Sequence, residues 1–105
     1  MKPFRWNHEK NERLKAERNI SFEEIVLAIE ADGLLDILRH PNPGKYPKQQ
    51  VFVVAVEQYA YFVPFVEETD YYFLKTVVPS RKATRDYLKR GDQNDEAYIV
   101  RRENP

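Results

Sequence analysis

The chain has 105 residues, with 17 lysines and arginines against 17 aspartates and glutamates, two histidines and no cysteine. This length suits one small domain around a single two-layer core, and the missing cysteines exclude a disulfide framework or a thiolate metal site. Two histidines leave zinc short of ligands unless carboxylates help, and charge balance leaves any anionic partner to be read from the distribution of charge.

Asn7 suits an N-cap for a helix running to about Arg18, with Trp6 placed to pack back as a staple and Asn19 suited to a left-handed C-cap. That helix is mostly charged, so the expectation is a surface helix held by Phe4, Trp6, Leu14 and Ile20. Ser21 and Glu24 form a capping box for a second helix, whose Phe22, Ile25, Val26 and Ile29 recur at helical spacing and face the core. Gly33 is placed to end it. The stretch LLDILRHPNPGKYPKQQ then holds three prolines and a glycine, which reads as a loop with an extended lead-in.

Three runs follow, VFVVAVE, YAYFVPFVEE and YYFLKTVV, rich in β-branched and aromatic residues and separated by short polar breaks. They predict a three-stranded antiparallel meander. Both faces of the runs are apolar, so helices should cover one side and a further element or partner the other. Pro64 cannot donate to a ladder, so the second strand should bulge or pair on one side near it. Ser80 then caps a helix that Gly91 stops, with Ala83, Tyr87 and Leu88 as its apolar stripe. Residues 1–91 therefore read as one α+β domain: two N-terminal helices, the meander and a C-terminal basic helix. Residues 92–105 form a polar tail suited to docking on a partner.

Charge is unevenly placed. Asn19 to Leu38 holds five acids and no base, whereas Lys75 to Arg90 holds six bases and one acid. Arg81, Arg85 and Lys89 fall at i, i+4 and i+8, which stacks three cations along one helix face. Arg81 and Lys82 occupy the first turn, where the helix dipole disfavours cations, so an anion such as phosphate at the N–H groups of Ser80 to Ala83 is the better explanation. His40 sits in a proline-stiffened loop with Lys45, Tyr46 and Lys48, as a general acid or base would. No apolar run approaches about 18 residues, so neither a membrane span nor a signal peptide is expected, and the cytoplasm is the expected location.

FRWNHEK at residues 4–10, ISFEEIVLAIE at 20–30 and SRKATRDYL at 80–88 resemble, in order and spacing, the BrnT family of bacterial toxins. That family opens on F-x-W-[DN]-x-x-K, continues in an [IV]-S-F-E-E helix and closes on a helix of S-A-R-K-A type. The resemblance implies a RelE-like ribonuclease fold and RNA cleavage without a metal. It also implies neutralisation by a cognate antitoxin encoded beside the toxin, usually with a ribbon-helix-helix DNA-binding part. Thr76 beside Lys75, the stretch VEETD and Pro79 depart from the family pattern, and only Arg81, Lys82 and Ala83 carry over from its basic motif.

The expected function is thus the toxin of a type II toxin-antitoxin pair, an endoribonuclease without cofactor. Its catalytic candidates are Arg81, Arg85, Lys75, His40 and Lys48, and its RNA-binding candidates are Lys82, Lys89, Lys45 and Tyr46. A second expectation, from another class, is a non-catalytic module that sequesters a protein partner through its sheet and basic helix.

Overall fold

The computed structural model describes residues 1–89, so the tail expected over 92–105 and the Gly91 stop lie outside the described residues. Asparagines bound helix α1 (His8–Arg18). The Asn7 side chain accepts the Lys10 N–H at 2.8 Å, and Asn19, left-handed at φ 56° and ψ 38°, donates its N–H to the Leu14 carbonyl. Leu14 is buried and Ala16 exposed, as befits a surface helix. Asn11 is buried too. Its Oδ1 accepts the Phe22 N–H and its Nδ2 donates to Glu23 Oε1, each at 2.8 Å, which ties α1 to the first turn of the next helix. Trp6 reaches further than a staple on its own helix: it stacks on Phe22, with 5.5 Å between ring centroids.

Helix α2 (Phe22–Ala28) opens on the reciprocal Ser21–Glu24 capping box and buries Phe22 and Ile25. It then widens over Ile29–Gly33, where Asp32 at φ 69° makes the left-handed turn that terminates it. Gly33 does not take a positive φ; it is needed for space. A Cβ there would stand 2.7 Å from the Ala28 carbonyl oxygen and 2.8 Å from that of Ala55.

The sheet has six strands rather than three: β1 (Phe4–Arg5), β2 (Leu34–Arg39), β3 (Gln49–Val56), β4 (Tyr59–Glu67), β5 (Tyr72–Leu74) and β6 (Val78–Pro79). Their order is β1-β5-β4-β3-β2, with β6 also against β4, and only the β1–β5 pair is parallel. The difference has three sources. Residues 34–39, expected as a lead-in to a loop, pair along β3 because their prolines begin only at Pro41. The N-terminal Phe4–Arg5 finds a partner in β5, a long-range pairing that no local pattern announces. The third apolar run splits in two, because its register against β4 slips by one residue between Leu74 and Val78. This slip sits opposite Pro64. The Pro64 carbonyl accepts the Lys75 N–H at 2.8 Å, so its missing N–H faces the slip, while the ladder to β3 runs through unbroken. Glu57 and Gln58 close the β3–β4 hairpin, both with positive φ (51° and 68°), as the tight two-residue turn requires.

Alternation distributes these strands to two faces. On one, Phe52, Val54, Val63, Phe65, Leu74 and Val77 meet Leu14, Ile20, Phe22, Ile25 and Ile29 from the helices. The other carries a smaller cluster of Val53, Ala60 and Ala83, flanked by Leu35, Phe62 and Leu88. The C-terminal segment supplies that second cover. It is a single α turn, α3 (Arg81–Thr84), followed by a wider coil over Arg85–Lys89, instead of one continuous α-helix. The buried Thr84 hydroxyl donates to the Ser80 carbonyl and accepts the Ala60 N–H, each at 2.8 Å, which pins this turn to β4.

Candidate functional site

The face beneath α3 brings several predicted residues together. Register places Val51, Val53, Ala60, Phe62 and Pro64 on it, and Lys75, pairing at Pro64, projects to the same side beside Phe73. The Lys75 ammonium lies 5.5 Å from the centroid of the Phe73 ring, and the side chain is exposed. α3 and the coil after it carry Arg81, Lys82 and Arg85, all exposed, across this face.

Between that segment and the β2–β3 loop lies an apolar recess of about 290 Å³, lined by Leu38, Arg39, His40, Pro41, Val51, Phe62, Pro64 and Val78. Phe62 lines the recess and also packs against the cluster of Val53, Ala60 and Ala83, which links the recess to the part of the sheet that α3 covers. His40 forms its opposite rim. Its Nδ1 accepts the Asn42 N–H at 3.0 Å, and its ring packs on Tyr46 with 4.5 Å between centroids. A neutral ring so held carries its proton on Nε2. Lys45 stands 5.4 Å from the centre of the Tyr46 ring, and its N–H and that of Tyr46 both return to the Asn42 carbonyl. The loop is thereby folded on itself into a shelf of imidazole, phenol and ammonium.

Lys48 is not on this rim. It lines a separate polar groove with Arg39, Gln49, Gln50 and Glu67. The Lys89 side chain lies outside what is described. The expected phosphate cradle at Ser80 to Ala83 is also corrected: the Ser80 N–H bonds the Ala60 carbonyl and the Ala83 N–H bonds Ser80 Oγ, so two of its donors are spent inside the protein. The expected stack of cations is changed by the wide coil, which breaks the i, i+4, i+8 spacing after Arg85.

Acids on this face are engaged. Asp86 lies 3.0 Å from Lys82 Nζ and 3.6 Å from Arg85 Nε, and the hydrogen bond from Lys82 holds its carboxyl below the ordinary value. Asp36 accepts the Tyr87 hydroxyl at 2.7 Å on Oδ2 and the Ile37 N–H at 2.8 Å on Oδ1. It thus ties the coil to β2 and masks one donor of the open sheet edge. Sequence reading missed Asp36 and Arg39 as parts of this site because it took residues 34–39 only for an extended lead-in to a loop, with no partner strand.

Among the described residues, no three histidine, aspartate or glutamate side chains converge as a metal site would require, and no helix is long and apolar enough to cross a membrane. The chain is a mixed α+β protein with one helix-covered sheet face and one basic face. Comparison with protein-family models, curated proteins and solved structures finds no match.

Proposed function

We propose that this protein is the toxin of a type II toxin-antitoxin pair, a metal-independent endoribonuclease of RelE-like fold that acts on RNA in the cytoplasm. One observation carries the reading: His40 and Arg39 rim a recess whose floor includes Pro64, which accepts the Lys75 N–H, and Val78, which leads into the segment bearing Arg81, Lys82 and Arg85. Cleavage of RNA without a metal needs a base for the 2′-hydroxyl proton and fixed positive charge for the phosphorane that forms as the 2′-oxygen attacks the adjacent phosphorus. His40 is the base we assign, taking the proton on Nδ1 once the Asn42 N–H has released that nitrogen, and Lys75, Arg81 and Arg85 supply the charge. The 5′-oxygen leaves with a proton drawn from solvent water, so the products are a 2′,3′-cyclic phosphate and a 5′-hydroxyl. Lys82, Lys45 and Tyr46 hold flanking nucleotides, with Lys48 and Lys89 as outer phosphate contacts. A cognate antitoxin, with or without a ribbon-helix-helix part, would neutralise the toxin by covering this basic face.

The test is incubation of the purified protein with RNA in excess chelator, with ribosomes supplied in a parallel reaction. Cut RNA with cyclic phosphate ends is expected, and His40→Ala should abolish it; RNA left intact in both reactions removes the ribonuclease reading. In that case the binding-module alternative gains, since Ile37 and Leu38 stand exposed on the open β2 edge where a partner strand could pair.

A further inference from the structure

The proposed catalytic groups account for the polar rim of the recess but leave its floor unexplained. Leu38, Pro41, Val51, Phe62, Pro64 and Val78 supply that floor, and of the recess-lining residues only Arg39 and His40 bring a polar side chain. Leu38 and Val78 are 36% and 38% exposed, so this apolar surface is open to solvent. A phosphate has no reason to enter such a place, and neither does a sugar.

Resting on the ribonuclease reading, we propose that the recess receives one unpaired nucleobase of the RNA, stacked against Phe62 and the prolines, with the adjoining phosphates held by the surrounding cations. Charge complementarity selects this occupant: Arg39 lines the recess, Lys75 bonds the backbone of Pro64 in its floor, and the Arg81–Arg85 segment follows Val78 by three residues, so cations flank an apolar floor, which suits a polyanion bearing flat apolar faces. The floor offers nothing to read a base edge. Selection at this position therefore falls on strandedness, because a paired base cannot leave its stack to enter, and all four bases are accepted.

The experiment measures binding of fluorescent, non-cleavable 2′-O-methyl RNA, single-stranded or as a hairpin duplex, across several salt concentrations. Leu38→Asn with Val78→Asn places neutral amides on the exposed margin of the recess without altering charge, and Leu27→Asn, 65% exposed on α2, is the control. Single strands are expected to bind more tightly than duplex. The double variant should lose roughly 5- to 100-fold for single strands, the range for removing one stacked base. Its salt dependence should stay unchanged, since that slope counts phosphate contacts.

Equal affinity for duplex, or an unaltered double variant, overturns the base site and leaves the ribonuclease reading standing. Absence of salt-dependent RNA binding by the wild-type protein overturns both. A second copy as occupant would appear as a change of sedimenting mass on the double substitution, and that result overturns the RNA assignment. If the double variant melts early, Val78→Asn alone, at the more open of the two positions, decides the question through the same binding curve.

Discussion

The two faces of the sheet are built from the same alternating strands and do opposite things. Under α1 and α2, Phe52 and Phe65 stack with 3.7 Å between ring centroids and an interplanar angle of 6°, and Phe22, Ile25, Val63, Leu74 and Val77 around them are wholly buried. Under α3 a smaller buried cluster of Val53, Ala60 and Ala83 forms, and beside it the sheet leaves an open recess with Arg39 on its rim. One face converts apolar area into stability; the other leaves apolar area exposed, which is costly unless something binds there. The comparison separates folding from function by residue, and it can be broken in either half.

The largest effect belongs to the packed face. Phe52→Ala removes a fully buried ring that touches Phe4, Phe65 and Tyr72, and should cost about 3–5 kcal/mol. Against the 5–15 kcal/mol typical of a domain, that leaves a marginal protein. Urea unfolding measures it; a loss below about 1 kcal/mol would mean the α1/α2 face is not where stability resides.

On the basic face the expectation reverses. Arg81→Ala and Arg85→Ala, both at exposed sites, should change stability by no more than about 0.5 kcal/mol. Losing a preorganised charge donor should nonetheless lower RNA cleavage by roughly 10- to 1000-fold. Growth curves on induction, with melts to confirm folding, test both statements. Full toxicity of the double variant would make this helix an ordinary solvated face.

These halves were unequally legible in the sequence. Asn7, Asn19, Ser21 and Glu24 announce their caps because capping is a local matter of a side chain meeting nearby N–H and C=O groups. The pairing of Phe4–Arg5 with Tyr72–Phe73 joins residues far apart in the chain and leaves no local periodicity. The basic residues were visible as a cluster, but not the coil that follows Thr84, since Thr84 is held by Ala60, a contact across the fold. The recess was invisible for the same reason: its lining comes from four strands and a loop, which only register brings side by side.

Gly33 sharpens the comparison at the edge of the packed face. A methyl group there meets two carbonyl oxygens of the backbone, which cannot swing away as a flexible side chain would. Gly33→Ala should cost about 1–3 kcal/mol by overpacking. Cleavage per folded molecule should stay unchanged, which thermal melts and activity assays on the same preparation would establish.

The smallest effect compares one carboxylate from each side, Glu23 on α2 and Asp86 on the coil. The hydrogen bond from Asn11 lowers Glu23 from its ordinary 4.5, and the one from Lys82 lowers Asp86 from 3.8. A lowered folded value means that the ionised form is favoured by folding. Each contribution is therefore complete above the ordinary value and is lost as pH falls through the lower folded one. Both groups are largely open to water, so each contributes within about 0.5 kcal/mol. The settings nevertheless differ. Asn11 is buried and fixed by the Phe22 N–H, whereas the Lys82 side chain is 76% exposed, so added salt screens Asp86 more than Glu23. Melting curves from pH 5 downward should thus show Glu23→Gln flattening the acid slope at any ionic strength. Asp86→Asn should flatten it only at low salt, and equal salt sensitivity in the two variants would erase this last distinction between the faces.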